Sequence, residues 1–584
     1  MNTRIPHALI ALLVFVLPAW SAQAQTLQLE LSGISGDVRD NTQAWLGDLP
    51  DTAQSRTNYL FSARNNVLKS LQALGYYNAD VTLELDRDAN PWLLRINVDP
   101  GERARMRRVD IRLVGGAEED EAFTKLILEH GLQVDQPFDH AAYQSFKSKL
   151  SALGLRRGYF DGEYTRSEVQ IEPEGNTADV FLHYASGERY RFGSTVYDQD
   201  FLRESLLQPL LEAKEGEPYD QALLQKTQAN LQRTRYFSTV VLRPDREQAQ
   251  NQVVPLNLSL YPARTHSIDL GVGFSTDTRE RVSVTWRTPR LNSLGHSQET
   301  RLMYSPVNPS GRFTYTIPLG HPNNDVLQMS ARLEDNEFGD LDSNQEELAV
   351  RREIKRDSWV YSYGLRRLNE GWDAEGIRRE NDYLLPGFSL SQRRRTGDPL
   401  NPSGAFSHWY RIEAGSAELA SDVDVVRMAA NFGHVRSSGE RHRMVFKSEL
   451  GLAFISDSDR DQLAPSLNFF AGGAQSIRGY SYQSIGNEVT VEDDNSDEVS
   501  LVVGGDRLLT VSAEYQYLVR ENWRAAVFVD AGDAFDEGDF DANVGVGVGV
   551  HYITPVGAVR LDLANPVTDD DPSWRVHFSI GAEF

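Results

Sequence analysis

The chain is 584 residues long, contains no cysteine, and carries 84 acidic against 59 basic side chains, a formal net charge of −25. That length calls for two to four folding units, and the missing thiols exclude disulfide frameworks, thiolate metal sites and cysteine nucleophiles. The acidic balance excludes nucleic-acid binding of the usual kind, which needs a basic face to replace counterions.

The first residues read MNTRIPHALIALLVFVLPAWSAQAQ. Arg4 supplies a short positive region, Ala8 to Leu17 an apolar one, and Ala22-Gln23-Ala24 a small-x-small cleavage site, which predicts a secretory signal over residues 1–24. Beyond it no apolar run approaches the roughly 20 residues of a membrane helix. A mean hydropathy of −0.45 is compatible with a membrane β-barrel, because alternating strands average out.

From 25 to 263 the chain repeats one pattern three times, at a period of roughly 80 residues. A helical stretch ends at an aromatic pair and leads into two strands: LKSLQALGYYNADVTLEL, then LSALGLRRGYFDGEYTRSEV, then LQRTRYFSTVVLRPD. Each unit reads strand, helix, helix, strand, strand. Gly75 and Gly158 suit the left-handed turn that ends a helix, and Tyr76-Tyr77 and Tyr159-Phe160 are expected to open the next strand. GER tripeptides at 101–103 and 187–189 mark turns between units, giving domains at 25–105, 106–187 and 188–263.

From 264 to 584 the pattern becomes strand after strand. In LLTVSAEYQYLV, Leu509, Val511, Ala513, Tyr515, Tyr517 and Val519 share one face, and Thr510, Ser512, Glu514 and Gln516 the other. In NVGVGVGVHY the valines lie opposite Gly545, Gly547 and Gly549; in AVRLDLANP, Val559, Leu561 and Leu563 lie opposite Arg560 and Asp562. Strands of this kind, apolar outside and polar inside, fit a lipid-embedded antiparallel barrel, and about 320 residues allow roughly 16 strands. Polar stretches such as GDLDSNQEEL and EDDNSDEVS are expected to be extracellular loops. The search for GxSxG, HExxH and glycine-rich phosphate loops returns nothing, so no catalytic residue, metal site or cofactor is expected.

One stretch is unusual: FFAGGAQSIRGYSYQS, residues 469–484, frames a lone Arg478 with glycines and contains no carboxylate. Together with FVDAGDAF at 528–535, it resembles the motifs of the outer-membrane assembly-factor superfamily that includes BamA and the two-partner secretion transporters, and the repeats resemble its periplasmic POTRA domains. The resemblance implies that a long extracellular loop folds back into the lumen, its tip Ile477, Arg478, Gly479 and Tyr480 preceded by Gly472 and Gly473. Alternation turns Phe528, Asp530 and Gly532 toward the lumen, so Arg478 is expected to meet Asp530 and Glu514 across it. Ala474-Gln475 departs from relatives that carry an acidic residue after the glycine pair.

The terminal WRVHFSIGAEF resembles the β-signal of outer-membrane proteins. Barrel closure requires HSIDLGVGF (266–274) to pair with 574–584, along a seam of Ile268, Leu270, Gly271 and Gly273 against Phe578, Gly581 and Phe584. Glycines pack little and cost strand entropy, so they are expected to weaken that seam; the resemblance implies that it is a lateral gate. Three repeats look most like the TamA branch. That implies a non-enzymatic role in the outer membrane, with the POTRA domains in the periplasm, inserting or secreting client autotransporter-type barrels with a TamB-like inner-membrane-anchored partner. The alternatives are a channel exporting one dedicated protein, or a TamB-linked phospholipid transport component.

Overall fold

A computed structural model describes residues 27–374, 377–398, 401–456, 458–492, 498–555 and 557–581. The expected signal segment and Phe584 lie outside the described residues. The chain divides into two compact units, the first built mainly from residues up to 193 and the second from most of 194–584.

Each N-terminal repeat folds into a three-stranded sheet backed by helices. In the first, Leu27–Ser32 runs parallel to Trp92–Asp99, which pairs antiparallel with Asp80–Asp86. The strand introduced last therefore sits in the middle, and the same order recurs in the second and third repeats. The reason is visible in the central strand: Leu94, Ile96 and Val98 alternate into a core with Val67 and Leu71 of the helix Ala53–Ala73. Burying alternate residues of a strand against one helix stripe is the two-layer solution for a short domain. The second repeat has its own core around Phe123, Phe146, Leu150 and Tyr184, and the third around Leu207, Leu231 and Leu258.

The helix His140–Arg157 stops at Gly158, whose φ of 88° is left-handed. A Cβ there would lie 2.6 Å from Cβ of Tyr219, so glycine is required twice over. The aromatic pairs do not open strands as the pattern predicts. The following strands begin at Asp80 and Glu163, and Tyr159 is a core residue whose hydroxyl donates to Gly116 O at 3.1 Å.

In the second unit, sixteen antiparallel strands from Ser267–Ser275 to Arg575–Gly581 close into a barrel. Val527 and Val529 point outward and exposed, while Phe528 and Asp530 are buried inside, the inversion that a lipid-facing wall demands. The third domain grips the barrel's near-end turns: Tyr236 Oη donates to Gly295 O at 2.8 Å, Arg203 N to Ser293 O at 3.1 Å, and Asn323 Nδ2 to Asn230 O at 2.8 Å. GDLDSNQEEL is not a loop. It is a tight turn followed by the strand Leu341–Arg356, whose Ser343 and Gln345 are buried inward. Sixteen residues outrun a hydrophobic band about 25 Å tall, so the outer end of this strand stands in water and is polar on both faces. Of EDDNSDEVS, Glu492 and Glu498 to Ser500 belong to a small hairpin, Glu488–Glu492 with Glu498–Val502, and 493–497 lie outside the described residues.

Candidate functional site: the lumen loop and the barrel seam

Between His442–Ile455 and Arg507–Arg520 the chain leaves the barrel end remote from the third domain and turns back inside. Ile477 and Tyr480 pack with Ala471, Ile485 and Ala534 in a small buried cluster that seats the loop. Gly472 and Gly473 both have φ of 100°, and a Cβ on Gly472 would stand 2.4 Å from Ser481 O, so the loop can double back here only on glycine.

Arg478 is 7% exposed. Its Nε and Nη2 donate to the two oxygens of Asp530 at 2.7 and 3.0 Å, its Nη1 to Glu514 at 2.6 Å and to Asp562 at 3.2 Å, and its backbone N–H to Asp530 at 3.1 Å. The guanidinium lies 3.3 Å from the ring centroid of Phe528. The fork-on-carboxylate geometry with a ring beneath suits arginine and not lysine. The residual void beside it, about 20 Å³, has room for one water.

The wall is shaped to receive the tip. A Cβ on Gly545 would stand 1.8 Å from Arg478 O, whereas Gly532, expected to face the loop, makes room for the wall itself, since a Cβ there would stand 2.1 Å from Leu509 O of the neighbouring strand. Tyr480 Oη bonds Thr568 Oγ1 at 2.9 Å. The sequence pairing of Arg478 with Asp530 and Glu514 thus corresponds to direct contacts, but Asp562 completes the set. Its lumen-facing parity was legible, and its meeting with Arg478 was not. His551, also beyond the expected set, lies between Asp562 (2.9 Å) and Glu514 (3.9 Å).

The same loop reaches the barrel seam from both sides. On the last strand, Gly479 N donates to His577 Nε2 at 2.9 Å and Arg575 Nε to Gly479 O at 3.1 Å. In the first hairpin turn, Asp277 accepts from Ala474 N at 2.9 Å, and a Cβ on Gly473 would stand 3.0 Å from its Oδ2. The acid missing after the glycine pair is supplied by the barrel.

The seam differs from the sequence expectation. Among the described residues the first and last strands share one register pair, Ser275 with Ser579, against seven to sixteen at every other strand junction. Thr276 N donates to Phe578 O at 3.0 Å, and the rings of Phe274 and Phe578 stand 5.7 Å apart. Among the described residues, Ile268, Leu270, Gly271 and Gly273 pair with Trp286, Val284, Ser283 and Arg281 of the second strand, and Gly581 pairs with Ala558. Among the described residues, the outer end of the first strand meets the last strand at Phe578 and Ser579. Among the described residues, the rest of the first strand's outward edge has no strand partner.

A closed sixteen-stranded barrel carrying three small α+β domains, with an arginine-tipped loop locked in its lumen, defines the class: an outer-membrane barrel with a periplasmic POTRA arm. The Omp85 superfamily domain matches residues 266–584 and the POTRA domain model TamA domain 1 matches 28–100; the chain belongs to the Omp85 superfamily. It is similar to outer membrane protein assembly factor BamA of Neisseria meningitidis, 22% identical over 87% of this chain and 71% of that protein. It is equally similar, at 22%, to BamA of Nitratidesulfovibrio vulgaris, of which it spans 66%. The crystal structure of Haemophilus ducreyi BamA lacking POTRA domains 1–3 superposes with a TM-score of 0.69 at 16% identity, over 82% of this chain and 99% of that one.

Proposed function

We propose that the chain is a non-enzymatic assembly factor of the TamA type, which inserts or secretes client outer-membrane barrels by opening the seam between its first and last strands. The observation that carries this reading is the seam bridged by the lumen loop, with one register pair among the described residues. Each backbone hydrogen bond contributes a net 0.5–1.5 kcal/mol or so, so over the described residues this junction has less backbone pairing to break than any other. Once open, the edge of Ser267–Ser275 can pair with an incoming strand by β-augmentation. The loop has to release Asp277 or the His577–Arg575 side first, which couples gate opening to the state of the lumen. The match of 28–100 to the first POTRA domain of TamA supports a TamB-like, inner-membrane-anchored partner that binds there.

The test uses the absence of native cysteine. Ser275→Cys with Ser579→Cys places two thiols at the position paired among the described residues. In proteoliposomes supplied with an autotransporter-type client, oxidation is expected to stop client insertion and reduction to restore it. Full activity of the oxidised protein would sink the gate and leave the lumen as the route of a dedicated secretion channel.

A further inference from the structure

A second feature of the lumen is independent of the seam. A cavity of about 450 Å³ lies against the inner wall formed by strands from Ser310–His321 to Val425–Ser438, with Ser466 of the lumen loop on its rim. Six arginines line it (312, 332, 351, 366, 411 and 427) against three carboxylates, Glu334, Glu347 and Glu413. Glu370, bound to Ser466 on the rim, is engaged by Ser343 and Ser466; counting it still leaves two positive charges in excess.

The carboxylates are fully used. Glu413 takes the fork of Arg366 at 2.7 and 3.1 Å and Arg411 at 2.6 Å. Glu347 takes Arg332 at 3.0 Å and Arg366 at 3.2 Å, and Glu334 takes Arg332 at 2.5 Å. Arg312 and Arg427 have no carboxylate within 4 Å among the described residues. Arg427 gives its Nε to Leu467 O at 3.0 Å and covers the Phe469 ring at 4.4 Å, so its remaining donors are held at the cavity. The Nε of Arg332 is buried without a hydrogen-bond partner.

Register makes the imbalance sharper. Arg301, Arg312 and Arg332 stand directly opposite one another on three successive strands. Like charges in that position destabilise a sheet, and a half-buried excess of guanidinium is costly unless an anion offsets it. Guanidinium forks match phosphate oxygens as they match carboxylates.

We propose that this cavity is a binding site for a phosphate group, either free phosphate or the headgroup of a phospholipid entering the lumen. Arg312 and Arg427, on the first and last of the strands that line it, are guanidiniums left without a carboxylate partner among the described residues. The test titrates the full chain in non-ionic detergent and chloride buffer, by calorimetry, with inorganic phosphate. A second arm uses a short-chain phosphatidylglycerol beside the matching diacylglycerol, which lacks the phosphate. Saturable binding of phosphate is expected, weakened about tenfold or more by either Arg312→Gln or Arg427→Gln. Arg243→Gln, on the third domain, leaves it unchanged. Competition of the phospholipid for the same site identifies the headgroup as ligand, and phosphate binding without competition identifies the free anion. Heat-modifiable migration on gels reports that each variant keeps its barrel; Arg312→Lys, which retains charge and loses the fork, serves if Arg312→Gln does not fold. No saturable binding of either probe, or equal binding by wild type and both cavity variants, overturns the proposal.

Discussion

Arg478→Ala tests the loop lock most directly. The side chain gives four hydrogen bonds to three carboxylates that are each at most 7% exposed. Its removal leaves Asp530, Glu514 and Asp562 crowded together with no guanidinium among them. Breaking a buried ion pair by deleting one partner costs about 3–5 kcal/mol. Water entering the lumen offsets part of this, so about 3 kcal/mol is the working figure. The barrel does not depend on this interaction: the strands that carry the carboxylates keep their backbone pairing, Arg507–Arg520 with Trp523–Phe535 and onward. The expected phenotype is therefore an inserted, heat-modifiable barrel with a released loop. Amide hydrogen exchange, read by mass spectrometry over 472–485, is expected to accelerate by about two orders of magnitude, with the wall strands unchanged. Arg478→Lys is expected to recover part of the protection, because an ammonium keeps the charge and loses the fork. Wild-type protection in Arg478→Ala would refute the reasoning, since it would mean that packing of Ile477 and Tyr480 alone holds the tip.

Gly545→Ala puts a methyl group where Arg478 O stands, 1.8 Å away; loop exchange is expected to rise as in Arg478→Ala while the outer valine face is untouched. His577→Ala and Asp277→Ala each cut one side of the loop's bridge, and each is expected to lower the rate of disulfide formation between Ser275→Cys and Ser579→Cys, measured by timed oxidation, because a released seam holds the two thiols together for less of the time. In the periplasmic arm, burial alone would raise the Asp120 carboxyl, but the Arg157 fork and the Ala122 N–H outweigh it and hold it below the usual carboxylate range. Its contribution, about 2 kcal/mol, is therefore complete above about pH 4, the unfolded value, and lost as pH falls through the lower folded one. Asp120→Asn is expected to make urea-dependent proteolysis of the second domain easier at neutral pH and to abolish its pH dependence in that acid window.

Period-2 alternation carries one bit per residue, inside or outside. That bit was enough to turn Phe528, Asp530 and Glu514 inward and to give the right fold and strand number. It does not say which inward residues meet, because that depends on the stagger between strands. Asp562 was visible as an inward acid for this reason and not as a partner of Arg478. Asp277 lies 197 positions from Ala474, a separation at which local pattern says nothing. Glycine content in HSIDLGVGF speaks to the strength of a strand pair and not to its register, so the stagger that puts Ser275 beside Ser579 was not legible. GDLDSNQEEL was misread because polarity on both faces marks a loop in a soluble protein, whereas here it marks a strand that has risen above the lipid.

Gly545, Gly547 and Gly549 place nothing inward, and a Cβ on any of them would meet Arg478 O, the Phe528 ring or Asp562 within 2.3 Å. Strand Asn543–Thr554 therefore has two unequal ledgers of permitted change. Its valine side can drift among apolar residues, since lipid is an undemanding neighbour. Its glycine side has no smaller residue to drift to, so every substitution there adds volume to a place already filled. The strand acts as a mould for the loop, and only its outer surface is free to diverge.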